Sequence, residues 1–177
     1  METNNNHIRK YPIGIQSFED LRREGYLYVD KTALIYRLVT TGKTYFLSRP
    51  RRFGKSLLLS TLKAYFEGKK ELFEGLAIEK LETKWTVHPV LHLDLNAEKY
   101  DSVERLEMQM NSQLLNWESQ YGCDAENWSY SIRFMNVIKA AYEQTGQQVV
   151  VLIDEYDKPM LESLHDKELQ DQFRSLL

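Results

Sequence analysis

Residues 45–59, YFLSRPRRFGKSLLL, decide the fold of this chain. The segment 44–48 has the character of a strand, and after Gly54-Lys55-Ser56 apolar residues recur at helical spacing until Gly68. A strand, a loop with this tripeptide and a helix in direct succession are typical of a phosphate-binding loop. The first N–H groups of such a helix have no partner within the helix, and the helix dipole favours an anion beside them.

The residue types of the loop fit phosphate binding. Gly54 lets the backbone approach a ligand closely, Lys55 supplies a flexible positive charge for the β- and γ-phosphates, and the Ser56 hydroxyl suits Mg²⁺. Arg49 stands where the general pattern G-x-x-x-x-G-K-[ST] begins with glycine, so a surface turn that caps a helix is the alternative interpretation. The residues predicted to contact a nucleotide are Arg52, Phe53, Gly54, Lys55, Ser56 and Leu57.

A second candidate segment follows the apolar run 149–153, which predicts a strand buried on both faces. Asp154 and Glu155 come directly after it, at the end of a parallel strand where ligand sites form. We predict that Asp154 and Ser56 hold Mg²⁺, and that Glu155 and Lys55 are catalytic, with Glu155 polarising the attacking water. The alternative is a solvated turn in which Asp154 or Asp157 caps the next helix.

The order of elements predicts an α/β fold. A second strand is predicted at 90–95, where apolar residues alternate, and amphipathic helices are predicted from Asp101 to Tyr121 and up to Gly146. Helices that alternate with short apolar strands favour right-handed crossovers, a mainly parallel sheet and three layers. Residues 169–177 follow a helical pattern without a capping signal, so we expect a longer protein and a sheet incomplete at its C-terminal end.

Composition narrows the function classes. The 177 residues carry a net charge of -3, and no apolar run approaches the ~20 residues of a membrane span. The N-terminus lacks the apolar stretch of a signal peptide, and Cys123 is the single cysteine. We therefore expect a cytoplasmic protein that does not associate with a membrane. Residues 1–10 are polar and predicted to be flexible, before one ordered domain at 11–177.

The mild negative charge gives no support for a nucleic-acid partner. A local cationic cluster nevertheless lies in the loop. Two of its arginines, Arg51 and Arg52, either contact the γ-phosphate or a partner subunit, or cover the loop as solvated side chains. The cluster consists of Arg49, Arg51 and Arg52.

Four stretches of the chain resemble the N-terminal part of the bacterial AAA-ATPase-like family, a branch of the P-loop NTPases. They are YPIGI at 11–15 with the following Phe18, GYLYVDKT at 25–32, RPRRFGKS at 49–56 and LIDEYDKP at 152–159. The arginine-rich loop is itself a mark of that family. The resemblance implies the three-layer P-loop NTPase fold, ATP and Mg²⁺ as cofactors, and a position near the nucleotide for Tyr28, Asp30 and Lys31, although core packing explains Tyr28 equally well.

The resemblance also implies what lies elsewhere. Relatives often continue into a PD-(D/E)XK nuclease-like domain. The sensor and arginine-finger groups are expected from later sequence or from a neighbouring subunit of a homo-oligomer.

Two functional hypotheses follow. The first is Mg²⁺-dependent ATP binding and hydrolysis that drives a conformational change in a larger protein. The second is a nucleotide-gated binding or scaffold module with little turnover, which acts on nucleic acid or protein partners. The presence of both Asp154 and Glu155 favours hydrolysis, because a module that only senses nucleotide does not need the water-polarising carboxylate.

Overall fold

The computed structural model describes residues 10–50, 52–96, 98–123 and 128–176. The chain divides into two compact units, Met1–Thr86 and Val87–Leu177. Of the segment 1–10, which the sequence predicts to be flexible, residues 1–9 lie outside the described ranges, and the Lys10 carbonyl accepts a hydrogen bond from the Leu27 N–H at 2.9 Å. Arg51 of the predicted cationic cluster also lies outside them.

The first unit is helical in its described residues. Its elements are α1 (Phe18–Arg23), α2 (Thr32–Thr41), α3 (Lys55–Phe66) and two 3₁₀ turns, Lys70–Phe73 and Ala77–Lys80. Helix α1 packs on α3 and on the first 3₁₀ turn. The buried Phe18 ring lies 5.1 Å from the Tyr28 ring and 4.9 Å from the Phe73 ring, so an aromatic cluster forms the core of this unit.

Asp30 and Thr32 join α2 to the second 3₁₀ turn. The Asp30 carboxylate accepts hydrogen bonds from the N–H and hydroxyl of Thr32, at 2.8 and 2.7 Å, and from the Ala77 N–H at 2.7 Å. The Thr32 hydroxyl oxygen accepts from the Ile78 N–H at 3.0 Å. Burial raises the pKa of Asp30, but these hydrogen bonds outweigh it and lower the pKa overall. Asp30 therefore has a structural task in this unit.

The second unit contains the sheet. Its elements are β1 (Val90–Asp94), α4 (Val103–Tyr121), α5 (Tyr130–Thr145), β2 (Val150–Asp154), α6 (Lys158–Glu162) and α7 (Lys167–Leu176). The two strands are parallel, in a register that runs from Val90 opposite Val150 to Asp94 opposite Asp154. The predicted α/β class and the parallel pairing are confirmed. Three layers and a P-loop arrangement go beyond this two-stranded sheet and stay predictions.

Helices α4 and α5 pack against each other in the second unit. Between them lies a buried ion pair, in which Arg133 donates from Nε and Nη2 to the Glu118 carboxylate, both at 2.7 Å. Arg133 Nη1 also donates to Asn111 at 2.7 Å. This two-pronged geometry fixes the relative orientation of the helices. The apolar core around it includes Leu91, Leu93, Leu106, Leu114, Val137 and Phe173.

Two sequence predictions are wrong. The segment 44–50 is exposed and carries no regular secondary structure, because the described part of the first unit contains no strand that could pair with it. The run 149–153 is not buried on both faces, since Leu152 is buried but Val151 and Ile153 are exposed. Strand β2 has β1 as its one neighbour in the described chain, so it is an edge strand.

No helix in the described ranges combines the length and the apolar character that a membrane span needs.

Candidate functional site

Two residues of the loop before α3 have a left-handed backbone conformation. Gly54 is the N-cap of α3 in the left-handed region, at φ 74° and ψ 28°, and Arg52 also has a positive φ of 66°. Glycine adopts this conformation without steric cost. Because Gly54 has no side chain, it offers no capping oxygen to the first N–H groups of α3. The predicted phosphate-binding position therefore lies at the start of a three-turn helix whose N-cap residue makes no side-chain hydrogen bond.

The six residues predicted to contact nucleotide are contiguous at this helix start. Arg52 and Phe53 are exposed, and Lys55, Ser56 and Leu57 are half-buried. The helical hydrogen-bond ladder begins with the Leu58 N–H, which donates to the Gly54 carbonyl at 3.0 Å.

The rest of α3 is held firmly behind the loop. The Ser60 hydroxyl oxygen accepts a hydrogen bond from the Phe18 N–H at 2.8 Å, and the Thr61 hydroxyl donates to the Leu57 carbonyl at 2.7 Å. Burial raises the pKa of Tyr28, and its hydrogen bond with Thr61 offsets part of that increase. Tyr28 thus takes part in the packing of α1 and α3, which accounts for this side chain without a ligand.

The acidic segment is built on the end of β2. Asp154 is 6% exposed, its Oδ1 accepts a hydrogen bond from the Glu155 N–H at 3.0 Å, and its carbonyl accepts from the Leu95 N–H at 3.1 Å. Glu155 is half-buried and adopts a φ of 53°, which is unusual for a residue with a side chain. Asp157 precedes α6, but its side chain makes no capping hydrogen bond. The capping alternative for these carboxylates therefore lacks the hydrogen bond it needs.

Sequence reasoning missed residues that surround this end of the sheet. Lys158 donates from Nζ to the carbonyls of Asn96 and Glu98, both at 2.7 Å, and so ties the loop after β1 to α6. Glu162, one turn further along α6, accepts a hydrogen bond from the Tyr100 N–H at 2.7 Å. Asp94 was missed as well. The signal that could have found it is that both apolar strands end in aspartate.

Tyr100 is a buried polar group beside these carboxylates. Its side chain is 1% exposed, and its hydroxyl has no hydrogen-bond partner among the described residues. Burial raises the pKa of Tyr100 to about 12, with further contributions from the negative charges of Asp94, Glu98 and Glu162. The hydroxyl is therefore protonated at neutral pH and available as a donor.

The donor set fits Mg²⁺ in part. Within the described ranges, no three His, Cys, Asp or Glu side chains are grouped so as to hold a metal ion. Mg²⁺ does not need such a cage, because it is usually bound through one or two carboxylates, water and substrate phosphates. The Asp154 carboxylate, held by the Glu155 N–H, and the Ser56 hydroxyl are hard oxygen donors of the required kind.

The structure brings the predicted residues together in two sets. One set, Arg52 to Leu57, lies in the first unit, and the other, Asp154 and Glu155, lies in the second.

A family model covers most of the chain. The model of the family described as "Predicted AAA-ATPase" matches residues 12–177. A protein of Azotobacter chroococcum mcd 1, described as an uncharacterized protein in the vnfD 5' region, is 40% identical over 167 residues, which are 94% of this chain and 32% of that protein. The chain therefore spans about a third of that relative's length. No solved structure matches.

Proposed function

Because the chain belongs to the predicted AAA-ATPase family, we propose that it binds ATP with Mg²⁺ and hydrolyses it, and that this cycle drives a conformational change in a larger protein. The observation that carries the proposal is the left-handed Gly54, followed by Lys55 and Ser56 in the first turn of α3. The proposal includes the three-layer P-loop fold for residues 11–177, which the family membership supports.

Phosphate binding is assigned to the loop. The first N–H groups of α3 would donate to phosphate oxygens, and the dipole of this helix favours their negative charge. The Lys55 ammonium, carried on a flexible stem, follows the β- and γ-phosphates as a point charge. Gly54 allows the phosphates to approach the backbone, because it has no Cβ and no described atom lies within 4 Å of the position that a Cβ would take.

The Ser56 hydroxyl and the Asp154 carboxylate are the groups that would hold Mg²⁺. Bound Mg²⁺ supplies positive charge that neutralises the phosphate oxygens as the terminal bond breaks. The burial of Asp154 and its hydrogen bond from the Glu155 N–H keep the carboxylate in one orientation. A fixed carboxylate loses little conformational freedom when it binds an ion.

Glu155 is assigned to the attacking water. Its carboxylate accepts a hydrogen bond from the water and polarises it towards the γ-phosphate. The left-handed backbone of Glu155 supports this role, because residues held in such conformations occur frequently at functional sites.

The proposal is tested by calorimetric titration of Mg·ATP into the 177-residue chain and into Lys55→Ala. Loss of the ammonium should weaken binding by about 10- to 100-fold, because a hydrogen bond to a charged group is lost. Circular dichroism should show an unchanged fold, since Lys55 is not one of the buried residues of the core.

Lys63→Ala is the matched control. Lys63 lies on the same helix, with its Nζ 3.8 Å from Glu67, and its replacement removes the same charge without touching the loop. Equal affinity in the wild type, Lys55→Ala and Lys63→Ala would contradict the proposal. Tight binding without phosphate release by the longer protein would support the scaffold hypothesis in place of hydrolysis.

A further inference from the structure

Asp94 and Asp154 form a carboxylate pair at one end of the sheet. They are partners in the parallel register, as the last residues of β1 and β2. Partners in a parallel pair lie on the same face of the sheet, on strands about 4.8 Å apart. Each carboxylate has one oxygen fixed by a backbone amide, since Asp94 Oδ1 accepts from the Asn96 N–H at 2.7 Å and Asp154 Oδ1 from the Glu155 N–H at 3.0 Å.

The charges of this pair are not compensated by an ion pair. Among the described residues, no lysine, arginine or histidine forms a salt bridge with Asp94 or Asp154. Lys158, the cation that follows β2 in sequence, donates to the carbonyls of Asn96 and Glu98 and lies 3.9 Å from Glu162. Two like charges at adjacent sheet positions repel each other, so the pair is stabilised by an added cation.

An independent observation points to a ligand at the same place. The Tyr100 hydroxyl is buried and has no hydrogen-bond partner in the described chain. A buried hydroxyl without a partner costs free energy, and a bound group that accepts its hydrogen bond removes that cost. Burial raises the pKa of Tyr100, and the negative charge of Asp94 raises it further.

We propose that Asp94 shares with Asp154 a site for a hydrated divalent cation, and that the Tyr100 hydroxyl donates a hydrogen bond to a water of that ion. Carboxylate oxygens are hard ligands, and Mg²⁺ keeps several waters when it is bound through one or two carboxylates. The hydrogen bonds of Lys158 and Glu162 hold the loop after β1 in place. This loop carries the Asn96 N–H, which orients the Asp94 carboxylate. This inference rests on the proposed function in one respect: the phosphates of bound ATP would complete the coordination of the cation.

The experiment uses Mn²⁺ as a paramagnetic probe for Mg²⁺. Mn²⁺ is titrated into the nucleotide-free chain, and binding is followed by the electron paramagnetic resonance signal of the free ion. Asp94→Asn and Asp154→Asn should each weaken Mn²⁺ binding by about tenfold or more, because each removes a charged ligand. Asparagine keeps an oxygen for the backbone hydrogen bond. Asp171→Asn is the matched control, since Asp171 is exposed and paired with Arg174 at 2.7 Å, and its affinity should equal that of the wild type.

Tyr100→Phe separates a ligand role from a structural one. It removes a hydroxyl without a partner, so the unfolding midpoint in a chelator should stay the same or rise. Mn²⁺ affinity should nevertheless fall by about 2- to 10-fold, which is the worth of one hydrogen bond. Mn²⁺ should raise the midpoint of the wild type but not that of Asp94→Asn.

Two outcomes would overturn the inference. One is a wild-type chain that does not bind Mn²⁺, and the other is an Asp94→Asn chain that binds it as the wild type does. The proposed function fails separately, when Lys55→Ala keeps its affinity for Mg·ATP. The two failures are distinguishable, because Mn²⁺ binding is measured without nucleotide and Mg·ATP binding is measured separately.

Discussion

The loop that leads into α3 and the turn that leads out of β2 carry the predicted site residues, and they are built in different ways. Residues 41–50 are all exposed, and Phe53 exposes 65% of its surface, whereas Asp154 exposes 6%. The candidate binding feature of the loop is its backbone, because Gly54 adopts the left-handed conformation directly before α3 begins. The acidic turn presents the buried Asp154 carboxylate, which accepts a hydrogen bond from a backbone amide.

A recognisable sequence motif therefore need not lie in a well-packed part of the protein. Replacing side chains in the loop should change ligand affinity with little effect on stability, because few of their atoms are buried. Replacing residues around the acidic turn should change both quantities, because the same atoms belong to the sheet and its core.

The largest effect is expected on turnover, when Glu155 in the acidic turn is replaced. Glu155→Gln keeps the shape of the side chain but does not polarise water, so turnover in the longer protein should fall by about 10²- to 10⁴-fold while Mg·ATP still binds. Steady-state phosphate release measures this. Glu168→Gln, in the exposed first turn of α7, makes the same chemical change and should leave the rate as it is. Near-normal turnover in Glu155→Gln would assign the water to another group.

The next effect compares two phenylalanines. Phe173 is fully buried in the second unit, so Phe173→Ala should lower the free energy of unfolding by about 3–5 kcal/mol. Phe53→Ala removes the same ring from the exposed loop and should change it by less than about 0.5 kcal/mol. Urea denaturation measures both. A loss of several kcal/mol in Phe53→Ala would show that the loop is packed in solution.

A smaller effect isolates backbone conformation. Gly54→Ala forces a residue with a Cβ into φ 74°, in open space, and should cost about 1–2 kcal/mol of stability. Gly146→Ala is the matched control, because Gly146 ends α5 at φ 64° and a Cβ there would also lie in open space. Both variants should lose similar stability in urea, but only Gly54→Ala should lose Mg·ATP affinity. Equal affinities would remove Gly54 from the site.

The smallest effect concerns the support behind the loop. The hydrogen bond from Lys69 at 2.6 Å, opposed in part by burial, lowers the pKa of Glu19. A carboxyl whose pKa is lowered on folding stabilises the fold above its unfolded value of about 4.3, and this contribution disappears as the pH falls through the folded pKa.

Wild type should therefore exceed Glu19→Gln in unfolding free energy by about 0.2–1 kcal/mol at pH 6. The difference should shrink as the pH falls below about 4.3. Urea unfolding across pH 3–6 checks it, and a difference that is independent of pH would contradict the role of the charge.

Local patterns predicted most of the elements of this chain. Helical spacing located α3, α4 and α5, and Gly146 marked the end of α5. Alternation and an apolar run located β1 and β2, and their parallel pairing followed from the helices between them. These features depend on residues close in sequence, so one sequence was enough to predict them.

The misses depend on partners distant in sequence. A strand at 44–48 needs a neighbouring strand, and none lies in the described part of the first unit. The exposure of Val151 depends on what covers that face of the sheet. The role proposed for Asp94 depends on the strand register, which places it opposite Asp154, 60 residues further along the chain. The roles of Lys55, Asp154 and Glu155 stay predictions, which the variants above test.

The left-handed backbone of Glu155 has a consequence for engineering. A non-glycine residue in this region carries about 1–2 kcal/mol of strain, which glycine avoids and asparagine tolerates better. A selection for heat resistance alone would therefore drive position 155 towards glycine or asparagine and discard the carboxylate. With the role proposed for Glu155, thermostable variants of this chain have to be screened with position 155 held constant, because the most stable sequence and the sequence proposed to be active diverge there.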